Sequence, residues 1–293
     1  MRIAVVTYES KISYAATNVL DEDKILAEIL IDLGLEFKFE IWSDTSVKWE
    51  TYSHLLVKSP WDYFDRYSEF LDWCQRIKKL GIPVFNDIET ILWNSDKRYL
   101  EEVQKQGFQI VPTRFLSKQQ PFDLAEYFDV FKTDQLVLKP TVSGGAKNTI
   151  KLDREMWLSK KEEMIGLMAT EDFMVQPFVK QIVEEGEYSY LYFNGKFSHA
   201  VLKSAKKGDF RVQHFFGGNI SKVLPKPEDL NCLQQLVNAF AKNCLYARVD
   251  GVWIEGVFYL MELELIEPYL FLFIEEQAIP NYRGAIKEKL DLI

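Results

Sequence analysis

Along the first hundred residues the hydrophobic period switches repeatedly between two and about 3.6, and this alternation constrains the fold more than any other feature. RIAVVTY (2–8) reads as a strand. DEDKILAEILIDLG (21–34) then places Ile25, Leu26, Ile29, Leu30 and Leu33 at helical spacing, with acidic residues at its start and Gly34 where a helix stops. LEFKFEIW (35–42) alternates as a half-buried strand, and HLLVKS (54–59) and IPVF (82–85) are further strands flanking the helix YFDRYSEFLDWCQRIKKLG (63–81). Such a succession predicts a parallel α/β sheet. NSDKRYLEEVQKQG (94–107) follows as a helix, with Ser95 as expected N-cap and Gly107 at its exit.

From about residue 112 the texture changes. LVLKP, TIKL and FMVQPFV are short strands, and EYSYLYF-NG-KFSHAVLKS is a hairpin with Asn194-Gly195 at its tip. A helix over roughly 227–243 precedes a second hairpin, YARVDGVWI-EG-VFYLMELEL, and a last helix spans about 274–291. The fold class expected is α/β followed by antiparallel sheets, α/β (α+β).

The net charge of −9 argues against a nucleic-acid or anionic-membrane partner. Cys74, Cys232 and Cys244 have no metal-ligand spacing and fit a reducing compartment. The opening residues turn polar too soon for a signal peptide, and no apolar run has membrane-span length, so a cytoplasmic location is expected.

Against that background FYLMELELIEP (258–268) poses a problem, since Glu262 and Glu264 share a strand face and Glu267 follows. Neighbouring buried carboxylates repel. If Glu255-Gly256 forms a short loop, Asp250 falls opposite or diagonal to Glu262, and the three acids could gather around Mg²⁺. A salt-bridged face accounts for them equally well. The loop from Ser143 through Gly144, Gly145 and Lys147 to Thr149 follows a strand ending in Lys139. It could approach a phosphate, although as a hairpin loop it needs no ligand. KSAKKGDFRVQHFFGG concentrates Lys203 and Arg211 near glycines in an otherwise acidic chain. Lys97 at a helix start is electrostatically unfavoured.

In this order, NSDKRYL, LVLKP-x-VSGGAKNT, MVQPFV, EGEYSYLYFNGKFSHAV, KGDFRVQ-x-x-x-GG, ARVD and LMELELIEP resemble the ATP-grasp superfamily over nearly the whole chain, especially its glutathione-synthetase-like branch. The phrases WDYF and ELIEP are similar to the O-ureido-D-serine cyclo-ligase-like group within it. The resemblance implies a pre-ATP-grasp domain (1–94), a lid subdomain with a connecting helix (95–183) and a catalytic subdomain (184–293) enclosing ATP between antiparallel sheets. It implies ATP and Mg²⁺ as cofactors, with two ions expected and Mn²⁺ as a substitute. Asp250, Glu262 and Glu264 match the metal positions. Lys97 and Lys139 match the phosphate lysines, and Ser143, Gly144 and Gly145 the mobile flap. Gln176, Phe178 and Val179 match the adenine hinge. Val183 stands where an acidic ribose ligand is expected, so Glu184 is chosen instead. Arg211 and Lys203 match catalytic positions, while Trp61, Asp62, Gly217, Gly218 and Glu267 are assigned to the substrate side.

What the resemblance implies is an ATP-dependent ligase that activates a small amino-acid-like or peptide carboxylate as an acyl phosphate. An amine, a thiol or another nucleophile then attacks, in a second molecule or within the same one. A kinase stopping at phosphoryl transfer and a non-catalytic nucleotide-binding protein are the alternatives. Its partners would be the carboxylate and the nucleophile, with no nucleic acid or membrane, and a homodimer as the assembly common among relatives.

Overall fold

A computed structural model describes residues 1–9, 21–118, 120–206 and 218–291. The opening alternation forms a parallel sheet of β1 (Arg2–Thr7), β2 (Glu36–Ile41), β3 (His54–Ser59) and β4 (Val84–Phe85), in the order β2-β1-β3-β4. Helices α1 (Glu22–Asp32) and α2 (Tyr67–Leu80) make the crossovers. Asp21 caps α1 by accepting the Lys24 N–H, and Gly81 ends α2 at φ +66°.

The helix expected over 94–107 is divided. Ser95 closes α3 (Ile88–Asn94) as its C-cap rather than opening a new helix, and α4 (Tyr99–Lys105) starts after a break. The Asp96 carboxylate accepts the Arg98 N–H at 2.9 Å across that break. Lys97 sits in the turn, its own N–H donated to the Thr141 carbonyl at 2.9 Å.

The second sheet is antiparallel and contains β5 (Arg114–Leu116), β6 (Gln135–Pro140), β7 (Ile150–Asp153) and β8 (Phe173–Pro177), ordered β5-β8-β6-β7. α5 (Leu124–Phe131) and α6 (Arg154–Met168) bury Phe128, Trp157 and Met164 against Leu136, Leu138 and Val175 on one face. Neither helix figures in the sequence reading. Lys160 leaves helical geometry inside α6 (φ −118°), so the apolar spacing restarts halfway along it.

After α7 (Gln181–Glu184) come β9 (Glu187–Phe193), β10 (Lys196–Ser204) and β11 (Asn219–Val223), then α8 (Pro227–Phe240), β12 (Tyr246–Ile254), β13 (Val257–Glu264) and α9 (Ala278–Lys289). The strands form an antiparallel sheet ordered β11-β10-β9-β12-β13. Asn194-Gly195 and Glu255-Gly256 make both hairpin turns with positive φ at each residue.

β13 is an edge strand whose outward backbone is closed by other elements. The Leu260 N–H and C=O pair with Gln109 and Val111, Leu263 meets Tyr99 and Asn94, and the Leu265 N–H donates to Asn94. A bulge between Asp250 and Gly251 absorbs Met261 as the extra residue, because Asp250 pairs with Glu262 and Gly251 with Leu260. Leu263 and Leu265 thus stay in the core with Phe258 and Leu260, leaving Glu262 and Glu264 on the other face.

Candidate active site

That other face has two halves. At one end Val252 and Met261 cluster with Val111, Val179 and Ile182, supported by Ile254 and Tyr259. At the other end, beyond the bulge, the face becomes charged: Arg248 and Asp250 on β12, Glu262 and Glu264 on β13, Glu187 on β9 and Lys203 on β10.

The charged half is densely connected. Asp250 is 2% exposed and accepts from Lys203 Nζ at 2.8 Å, from Arg248 Nη2 at 2.9 Å and from Arg248 Nε at 3.0 Å. Arg248 also contacts Glu264, and Lys203 contacts Glu187. Lys97 Nζ donates to the Ser143 carbonyl at 2.7 Å and lies 3.2 Å from Glu262. The Lys139 ammonium, on β6, makes no hydrogen bond or ion pair among the described residues, but it feels the charges of Glu262 and Glu187.

Burial and charge act oppositely on these groups. Burial disfavours ionised Asp250, yet Arg248 and Lys203 outweigh it and hold the carboxyl well below its usual range. Glu264 is pushed up to about 8 by burial, with Asp250, Glu262 and Glu267 adding to it against the pull of Arg248. Arg248 is thus shared unequally, and Asp250, which also holds Lys203, has the larger part. Burial, reinforced by Glu262 and opposed by Lys97, pushes Glu267 up to about 7. Burial lowers Lys139, with Glu262 and Glu187 opposing.

Asp250 lies directly opposite Glu262, as the hairpin spacing suggested. Asp250, Glu262 and Glu264, expected as metal ligands, lie on this one face, each beside a cationic side chain. Among the described residues no three acidic, His or Cys side chains converge to hold a metal. Arg248 is bonded to both Asp250 and Glu264, and Lys97 pairs with Glu262, because crowded carboxylates draw in the nearest cations. The donor set nevertheless fits a hard divalent cation.

Ser143 is buried, its hydroxyl donating to the Pro140 carbonyl at 3.2 Å. At Gly144 an added Cβ would lie 2.5 Å from the Phe64 ring, so any larger residue would have to displace that ring. Gly145 takes φ +58°, and Lys147 in the same loop pairs with Asp65. The loop thus rests on Phe64 and Asp65 of the N-terminal domain. The Gln176 amide donates to Thr113 Oγ1 at 2.9 Å, and the Phe178 N–H to the Gln135 carbonyl. Val179 joins the apolar half. Glu184 is exposed at the end of α7, whereas Glu187, three residues on, faces the charged half. Trp61 Nε1 donates to the Glu267 carbonyl at 3.2 Å, and Asp62 accepts from Trp42 Nε1 at 2.6 Å. Gly218 is buried just before β11. Arg211 and Gly217 lie outside the described residues.

Two site groups were missing from the sequence-derived set, Arg248 and Glu187. The signal for Arg248 was its position two before Asp250, which places both on one strand face. Glu187 stands directly opposite Lys203 across the hairpin, in a register set by the NG turn together with a bulge at Ser198.

The profile of the prokaryotic glutathione synthetase ATP-grasp domain matches residues 101–277, more than half the chain, and the chain belongs to this ATP-grasp family. Its class is that of the ATP-dependent ligases. Residues 3–86 match the N-terminal domain of D-cycloserine synthetase DcsG. Among curated proteins, the cycloserine biosynthesis protein DcsG of Streptomyces lavendulae is 26% identical over 90% of this chain and 92% of its own length. The crystal structure of D-cycloserine synthetase DcsG superposes with a TM-score of 0.85 at 23% identity, covering 99% of this chain and all (100%) of that one. D-alanine–D-alanine ligase from Bacillus anthracis, complexed with ATP, shares the fold with a TM-score of 0.70 at 18% identity, over 99% of this chain and 96% of that one. No helix among the described residues is long and apolar enough to cross a membrane.

Proposed function

We propose that the protein is an ATP-dependent carboxylate–amine ligase for a small amino-acid-like or peptide substrate, activated as an acyl phosphate. The observation that carries the reading is the two-part face of β12 and β13, apolar beside the Val179 hinge and charged beside Lys97, Lys139 and Lys203. A nucleotide has the same two parts. ATP would supply the transferable phosphoryl group. Lys97, Lys139 and Lys203 would hold phosphate oxygens, and Asp250, Glu262 and Glu264 would hold two Mg²⁺ ions, with Mn²⁺ as substitute. Arg248 is placed to steady negative charge on the transferring group. Val179 and Phe178 border the base, Glu187 rather than Glu184 the ribose, and Trp61 and Glu267 the carboxylate substrate. Being joined to Glu267, Trp61 links the N-terminal domain to that end of the cleft. The similarity to the cycloserine protein DcsG favours a substrate that closes a ring on itself. Buried, unbonded Cys74 and Cys244 accord with a cytoplasmic setting.

ADP release should be screened over amino acids, dipeptides and ureido compounds with Mg²⁺ and ATP. Added hydroxylamine should yield a hydroxamate if a carboxylate is activated. A kinase would release ADP without hydroxamate. Lys139→Ala should abolish both signals and the thermal stabilisation by ATP, and an unchanged ATP shift in that variant would overturn the site.

A further inference from the structure

Ser189 lies in the middle of the charged face and takes no part in it. The residue is 0% exposed, and its hydroxyl has no hydrogen-bond partner among the described residues. It stands directly opposite Asp250 across the β9–β12 ladder, so the two side chains project from the same face at neighbouring positions. Buried hydroxyls are nearly always paired, and one left alone weakens the fold unless another state employs it.

The surroundings show which state that is. Lys203 is the cross-strand partner of Glu187, two residues before Ser189 on β9. From β10 its ammonium contacts Glu187 and continues across β9 to Asp250 Oδ2 at 2.8 Å. The lysine therefore passes beside Ser189, and it occupies the Asp250 oxygen that also accepts Arg248 Nη2 at 2.9 Å. Asp250 Oδ2 already has all the donors it needs, so the serine is left out.

We propose that Ser189 is a positioning residue for Asp250. When Lys203 swings onto a bound phosphate, the Ser189 O–H donates to the carboxylate oxygen that Lys203 releases and keeps Asp250 aimed at the divalent cation. The inference rests on the reading that Asp250 binds that cation. Ser189 thus belongs to the loaded state alone, and its hydroxyl is a liability in the empty one.

The test uses the full chain, ADP and MgCl₂, read as thermal shift. Without ligand, Ser189→Ala should melt at or above the wild-type temperature, because it removes an unsatisfied hydroxyl. At fixed ADP, the Mg²⁺ concentration that gives half of the stabilisation should rise about tenfold or more in Ser189→Ala, the size expected for a lost hydrogen bond to a charged group. The shift given by ADP in EDTA should not change, and Ser189→Thr, which keeps the hydroxyl, should restore the Mg²⁺ midpoint. An unchanged midpoint in Ser189→Ala overturns the proposal, as does a clear fall in its ligand-free melting temperature. If wild-type protein shows no Mg²⁺-dependent shift with ADP, the metal reading fails and the serine's role with it. Wild type and variant thus separate the two failures.

Discussion

Glu267 is a residue whose protonation the fold visibly controls. Its carboxyl is pushed from an ordinary 4.5 up to about 7, chiefly by burial, so between those values the folded chain holds a proton that the unfolded chain releases. Stability should therefore fall as pH rises across that window. Glu267→Gln should raise the melting temperature at pH 8 by about 2–4 °C and change it little near pH 4.5, as calorimetry at the two values will show. At this scale the sequence exposed the acids but not their partners. Glu262 and Glu264 stood out because alternation put both off the apolar face. That Arg248 would join Asp250 to Glu264 depends on side-chain reach, which spacing does not encode.

Among the elements, the two hairpins were readable because their turns require positive φ at residues that tolerate it. α5 and α6 were not, since their apolar positions cover one face of a small sheet and α6 breaks period at Lys160. The split at Ser95 was equally hidden, because Asp96 and not the serine organises the turn. β13 depends on side chains from outside its sheet, Asn94 above all. Asn94→Ala would leave the Leu265 N–H without its partner and remove one of those on the Leu263 carbonyl, costing about 1–3 kcal/mol in urea unfolding. The 143–149 loop behaves differently. Its Lys147–Asp65 pair is partly exposed and contributes roughly 0–1 kcal/mol. Lys147→Ala should hardly move the melting temperature, while limited proteolysis within 144–148 becomes severalfold faster.

Over the whole molecule, the N-terminal domain is fastened to the segment following β13 by a buried ion pair. Glu22 accepts from Lys58 Nζ at 3.1 Å and from the Leu270 and Leu272 N–H groups, and Lys58 also donates to the Pro268 carbonyl at 3.1 Å. Removing one partner strands the other charge in the interior. Glu22→Ala should cost about 3–5 kcal/mol and lower the melting temperature by roughly 10 °C. The succession of parallel and antiparallel sheets was legible from the sequence, since each carries its own hydrophobic period. This fastening was not, because Glu22 and Leu270 are 248 positions apart.

Met261 and Glu262 are consecutive, yet the bulge leaves one in the apolar cluster and the other against Lys97. The greasy and ionic halves of the sheet face therefore meet across a single peptide bond. On the proposed reading of this face, adenosine alone would leave Lys139 unanswered and pyrophosphate alone would leave the apolar half untouched. Only a molecule spanning that border would satisfy both, so the face would gauge ligand length as well as ligand charge.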